Sequence, residues 1–175
     1  IVERALKRME KLLWHERKSR MPNLLVIGPT NNGKTMLREK FYRLNKDRVE
    51  QGQIAGKPYS LLVGRRIISM QMPTAPNIRR FLLALADGID RRSSNVTELA
   101  VSAMERELYK IIKEMQVQMI MIDELHNILA GPNRQQLELL NMLRYLGNEL
   151  KVPIVCFGTR DALSLIHISE PTRPE

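Results

Sequence analysis

Eight consecutive residues, Gly28-Pro29-Thr30-Asn31-Asn32-Gly33-Lys34-Thr35, satisfy the pattern G-x-x-x-x-G-K-[ST], the spacing of a phosphate-binding loop. The residue types state the chemistry. Gly28 and Gly33 let backbone N–H groups close around a phosphate chain, with Pro29, Thr30, Asn31 and Asn32 as the body of the cradle. A helix starting at Lys34 adds the positive end of its dipole. Lys34 brings a compact charge to the β- and γ-phosphates, and the Thr35 hydroxyl is a ligand for Mg²⁺. An ordinary Gly-rich turn is the competing reading, and a strand before with a helix after decides against it.

Ile122-Asp123-Glu124 supplies a second half. Four apolar residues, Met119 to Ile122, deliver Asp123 to the end of a strand, where its carboxylate can hold the Mg²⁺ shell. Glu124 beside it is placed to orient or deprotonate an attacking water. Acids also favour helix starts, so the pair gains its meaning from the phosphate loop. A later apolar strand ends in Gly158-Thr159-Arg160. Thr159 is the candidate there for sensing the γ-phosphate or the nucleophilic water, and Arg160 for reaching phosphate, DNA or a neighbouring subunit. His126 completes Asp-Glu-Leu-His, the helicase D-E-x-H spelling, although the next strand ends Phe-Gly-Thr-Arg and not Ser-Ala-Thr. Packing or capping is the plainer role for that histidine.

These residues need a frame. Residues 2–18 place Val2, Ala5, Leu6, Met9, Leu12 and Leu13 on one face, an amphipathic helix closed by Pro22. Leu24–Ile27 reads as a short buried strand, and a helix from Lys34 carries Leu37, Phe41 and Leu44 at i, i+4 and i+7. Residues 45–58, with Gly52, Gly56 and Pro58, read as a loop or insertion. Ile67–Met72 is the next strand, with Leu61–Val63 pairing to it through Gly64-Arg65-Arg66. Pro73 and Pro76 precede a helix at 77–87, and Asn95 with Glu98 resembles a capping box opening a helix through Met115. Strands at 119–122 and 154–157 flank a helix at 133–150. Wholly apolar strands alternating with helices mean an α/β fold: a parallel sheet with helices on both faces.

The chain has 175 residues, 43% apolar and 27% charged, enough for one domain with a real core. A single cysteine, Cys156, excludes a disulfide scaffold and a cysteine-built zinc site; in Val-Pro-Ile-Val-Cys-Phe it reads as buried and inert. Trp14 and the ten methionines read as core. No apolar run approaches the ~18 residues of a membrane span and no signal-peptide pattern opens the chain, so the expected setting is cytoplasmic, with no membrane partner. The first residue is Ile1, and the natural start is expected upstream. Net charge is +9, carried by residues 1–66, whose 16 basic groups face 6 acids, against 11 of each in 67–162. Such an excess is the footprint of a surface meeting polyanions, or of a solvated basic face. The pairs Arg65-Arg66, Arg79-Arg80 and Arg91-Arg92 are the candidates for DNA phosphate contacts.

Residues 163–175 stand apart. Leu163 to Arg173 match one reading frame of a transposase-based sequencing-library adapter, so this segment is read as a non-native tail and His167 is given no role. The expected organisation is an amphipathic helix and lead-in over 1–22, a nucleotide-binding core over 23–162, and that tail.

Arg20-Met21-Pro22-Asn23-Leu24-Leu25 entering the phosphate loop, Gln71-Met72-Pro73, the run Ile122 to Gly131, Leu146-Gly147-Asn148-Glu149-Leu150, and Pro153 through Ala162 together resemble the TniB group of transposition ATPases. The resemblance implies a P-loop NTPase of the AAA+ (ASCE) type with strand order 5-1-4-3-2, here without its fifth strand, arginine finger and lid helices. It implies ATP and Mg²⁺ as cofactors, with Gly28 to Thr35 around the nucleotide, Thr35 and Asp123 on the metal, Glu124 on the water, Lys34 on the phosphates and Thr159 as first sensor. It implies weak ATP hydrolysis, ATP-dependent self-assembly on double-stranded DNA, and recruitment of a DDE-type transposase. A DExH-type helicase and a nucleotide-gated DNA-binding switch are the alternatives.

Overall fold

The computed structural model describes residues 2–30, 32–45, 48–64, 66–89 and 94–165. Four strands form a parallel sheet: β1 (Leu24–Ile27), β4 (Ile67–Gln71), β5 (Met119–Asp123) and β6 (Ile154–Gly158), in the order β1-β6-β5-β4. Helices α1 (Val2–Leu13) and α2 (Lys34–Leu44) cover one face; α3 (Ile78–Ile89), α4 (Val101–Glu114) and α5 (Asn133–Leu150) cover the other. A separate antiparallel hairpin joins β2 (Arg48–Ile54) to β3 (Lys57–Gly64) between α2 and β4.

The strands are mostly apolar because both faces are covered, with Ser69, Gln71 and Asp123 as the polar exceptions on β4 and β5, and successive side chains alternate between the two cores. On β5, Ile120 and Ile122 point to α3, α4 and α5, while Met119 and Met121 meet α1 and α2. On β6, Ile154 and Cys156 face the first group, Val155 and Phe157 the second. The α1 contribution is Met9 and Leu13, packed with Leu37 and Phe41 of α2 and with Phe157. Each such side chain, fully buried, contributes about 1.5–3 kcal/mol. Parallel register aligns the strand ends: Ile27 lies opposite Gly158, and Gln71 opposite Asp123. The carboxyl edge of such a sheet is where ligands bind in open α/β folds.

Several local expectations are corrected. Most of the predicted 45–58 loop is strand, with Ile54 opposite Lys57 and Ala55-Gly56 as a two-residue turn, both at positive φ. Gly52 belongs inside that strand because the Tyr59 ring lies across it, 2.6 Å from where a Cβ would stand, and Pro58 is tolerated in a strand with a free edge. Leu61–Val63 therefore pairs with β2, not with β4. Helix α1 ends at Leu13, short of residue 18. The capping box does not open α4: residues 94–98 form a 3-10 turn and the helix begins at Val101, after Ala100 in extended geometry. Arg79 donates to the carbonyls of Thr97 and Leu99, both at 2.9 Å, which holds that turn apart from the helix. Trp14, Met36 and Leu44 are surface residues, 61%, 75% and 68% exposed, and not core. Cys156 is buried as expected, and burial pushes its thiol up to about 12.

Candidate nucleotide-binding site

The loop after β1 is pinned at both ends. Gly28 N–H donates to the Gly158 carbonyl at 3.2 Å, tying the loop to the end of β6. Gly33, at φ +74, turns the chain into α2 and its carbonyl accepts from Leu37 N–H at 2.8 Å. Only glycine takes that left-handed conformation without cost, which is why the motif needs it there. Lys34 folds back over the loop, its Nζ donating to the carbonyls of Gly28 at 2.8 Å and Pro29 at 2.6 Å. A partly exposed ammonium on two carbonyls can exchange them for phosphate oxygens, which offer it acceptors of opposite charge. Asn31 lies outside the described residues.

Thr30, Asn32, Gly33, Lys34, Thr35 and Met36 share one cleft of about 300 Å³ with Glu124 and Thr159. Three segments far apart in sequence thus meet at the carboxyl edge of the sheet. At its floor, Thr35 Oγ1 donates to Asp123 Oδ2 at 3.1 Å. Asp123 is only 3% exposed, and its other oxygen accepts the Glu124 N–H at 2.9 Å. A hydroxyl and a carboxylate oxygen 3.1 Å apart match the roughly 3 Å edge of an Mg²⁺ octahedron with metal–oxygen bonds of about 2.1 Å. The donor set therefore fits Mg²⁺ at Thr35 and Asp123.

Glu124 follows with φ 55 and ψ 40, a left-handed conformation that costs a non-glycine residue about 1–2 kcal/mol. Such strain concentrates at functional sites, and here it turns the carboxylate out of the strand line into the cleft. His126 Nε2 sits 3.1 Å from Glu124 Oε2, while its Nδ1 is buried without a partner among the described residues. The histidine thus touches the candidate base instead of merely packing. Thr159 lines the cleft, but its hydroxyl donates to Asp161 Oδ2 at 3.1 Å.

One residue of the site escaped the sequence reading. Arg38, one helical turn beyond Lys34 on α2, places Nη1 3.2 Å from Asp123 Oδ2, with the two side chains 17% and 5% exposed. Its only signal was i,i+4 spacing from Lys34, which every helical charge pattern produces. The arginine pairs proposed for DNA fare differently. Arg79 is committed to two carbonyls, Arg80 donates to Ala75 O at 3.2 Å, and the Arg66 guanidinium lies 5.1 Å from the Trp14 ring centroid. These three serve the fold. Arg65, Arg91 and Arg92 lie outside the described residues, and Arg160 is exposed.

No curated protein matches the chain in sequence. Among solved structures, the Orc1 protein of Aeropyrum pernix in complex with DNA superposes over 97% of this chain with a TM-score of 0.64 at 20% identity. This chain spans 40% of that protein's length. The likeness shows the fold, that of an AAA+ P-loop ATPase, and the β1-β6-β5-β4 order fills four of the five positions in 5-1-4-3-2. No helix among the described residues is long and apolar enough to cross a membrane. The family described as bacterial TniB protein matches residues 2–172, and the chain belongs to it.

Proposed function

We propose that this chain binds and slowly hydrolyses ATP, and uses ATP to assemble on double-stranded DNA where it recruits a DDE-type transposase. The observation that carries the nucleotide half is the Thr35–Asp123 contact at 3.1 Å, made across 88 residues beside Lys34 and Glu124. It unites the two candidate metal ligands at the mouth of the phosphate loop. Family membership and the DNA complex of the structural neighbour support the DNA half.

In this reading Lys34 releases its two carbonyls and takes the β- and γ-phosphate oxygens. The segment from Gly28 to Thr35 holds the phosphate chain through its backbone amides, except at Pro29, which has no N–H, and Gly28, whose N–H is taken by the Gly158 carbonyl. Mg²⁺, when bound, neutralises phosphate charge, and Thr35 and Asp123 would hold it. Glu124 accepts the proton of the attacking water once its carboxylate leaves His126, and Thr159 reports the γ-phosphate once its hydroxyl leaves Asp161. The organisation is a lead-in over 1–22 and an AAA+ core over 23–162 in a cytoplasmic protein. Residues 163–175 remain our proposed adapter-derived tail, although the family match runs to residue 172 and Leu165 is 2% exposed. An apolar group at 165 fills the groove beside β1 whatever its origin, and sequencing the natural locus past Ala162 decides the point.

The test is sedimentation on duplex DNA with phosphate release, comparing the chain with Glu124→Gln. ATP-driven assembly that Glu124→Gln locks while abolishing turnover is the expected result. Duplex unwinding by a monomer, without assembly, would establish the helicase reading suggested by Asp-Glu-Leu-His.

A further inference from the structure

Of the paired arginines, Arg66, Arg79 and Arg80 already hold contacts within the fold, whereas α1, in the basic first third of the chain, carries a group of cations with no such contacts among the described residues. On α1, Arg4, Lys7, Arg8 and Lys11 are all exposed and line one shallow surface. At about 100° per residue they fall within an arc of roughly 100°, and Arg4 to Lys11 spans about 10.5 Å along the axis. Among the described residues none of the four makes an ion pair or hydrogen bond. Glu3 and Glu10 stand on the flank of the stripe.

The opposite face decides what such a helix can bind. A basic amphipathic helix ordinarily suggests insertion into a membrane interface by its apolar side. That side is unavailable here: Met9 is 0% and Leu13 3% exposed, packed against Phe41 and Phe157. Only the charges are on offer. Every side chain lining the surface besides the four cations is Glu3, so it holds no apolar contact by which to read a peptide. Recognition by charge alone fits a rigid, dense line of anions, and duplex DNA carries one per about 1.7 Å of axis. We propose that the outer face of α1 is a DNA-docking surface, with Arg4, Lys7, Arg8 and Lys11 contacting the phosphate backbone without reading sequence. This rests on the DNA-binding reading above and names the surface that serves it.

The experiment measures binding of the full 175-residue chain, with ATP, to a fluorescent 30-base-pair duplex by anisotropy between 50 and 200 mM salt. A variant carrying Arg4→Gln, Lys7→Gln, Arg8→Gln and Lys11→Gln preserves helix propensity and is checked by circular dichroism. A control removes four exposed cations elsewhere: Lys40→Gln, Arg106→Gln, Lys110→Gln and Lys151→Gln. Each phosphate contact contributes about 0.9 to the slope of log K against log salt, so the α1 variant should be shallower by up to about 3.6. The control should keep the slope of the unmodified chain. Equal losses in both variants overturn the inference, because net charge then explains the binding. A full slope in the α1 variant overturns it alone, as does loss of binding to phosphatidylserine vesicles with DNA binding intact. Absence of duplex binding by the unmodified chain overturns both this inference and the DNA-binding reading.

Discussion

Replacing Arg38 with methionine tests the architecture of the site without touching nucleotide. The pair with Asp123 is held at 3.2 Å with the side chains 17% and 5% exposed, so removing the cation strands a nearly buried carboxylate. Breaking a buried pair from one side costs about 3–5 kcal/mol. Asp123 keeps the Thr35 hydroxyl and the Glu124 amide, and methionine retains most of the aliphatic stem, which places the expected loss near 3 kcal/mol. For a domain of this size that is a fall in Tm of about 6–12 °C. The freed Asp123 Oδ2 then faces Thr35 Oγ1 with no competing cation, so Mg²⁺ alone should stabilise the variant. At one hundred times its Kd, Mg²⁺ returns about 2.7 kcal/mol, most of the loss. The unmodified chain, with the guanidinium already on that oxygen, should respond far less. Thermal melts with and without MgCl₂, in the absence of nucleotide, read both effects. Arg43→Met is the control, since its 3.9 Å contact with Glu39 is exposed on both sides and worth at most about 0.5 kcal/mol. Two results refute the reasoning: an Arg38→Met melt within about 1 °C of the unmodified chain, or a large fall that Mg²⁺ does not repair.

Two smaller predictions stand beside it. Lys34→Ala should abolish ATP binding in a fluorescent-nucleotide assay while shifting Tm by no more than about 2 °C, because the lost bonds to Gly28 and Pro29 carbonyls are partly exposed. Cys156, whose thiol burial raises from 9.0 to about 12, should react with a thiol reagent only after denaturation. Because the folded value is the higher one, its contribution to stability is full below about 9 and fades as pH rises towards 12, a decline that denaturant titrations at pH 8 and 10 would register.

The readable parts of this protein were those whose information is local. A phosphate loop is eight contiguous residues, and an apolar strand delivering Asp123 needs only its own alternation and end point. The core strands and α5 were legible for the same reason, since burial on both faces leaves a uniform apolar run or an i, i+3, i+4 pattern that no other environment produces. The hairpin was misread because Gly52, Gly56 and Pro58 are turn residues by habit. What admitted them to strands, a Tyr59 ring above Gly52 and a free edge at Pro58, is visible only when the strands are paired. The start of α4 was misread because a guanidinium from α3 holds the carbonyls of Thr97 and Leu99.

The fold class, the place of Gly28 to Thr35 between a strand and a helix, and that of Asp123-Glu124 at a strand end were all legible in the chain, because each follows from spacing along one stretch of it. Tertiary structure alone decided that Arg38 meets Asp123 across the sheet edge, that His126 holds Glu124, and that Arg66, Arg79 and Arg80 are bound up in the fold. A charged side chain is long and flexible, and its partner is set by what folding brings within about 4 Å. No pattern in the chain records that distance.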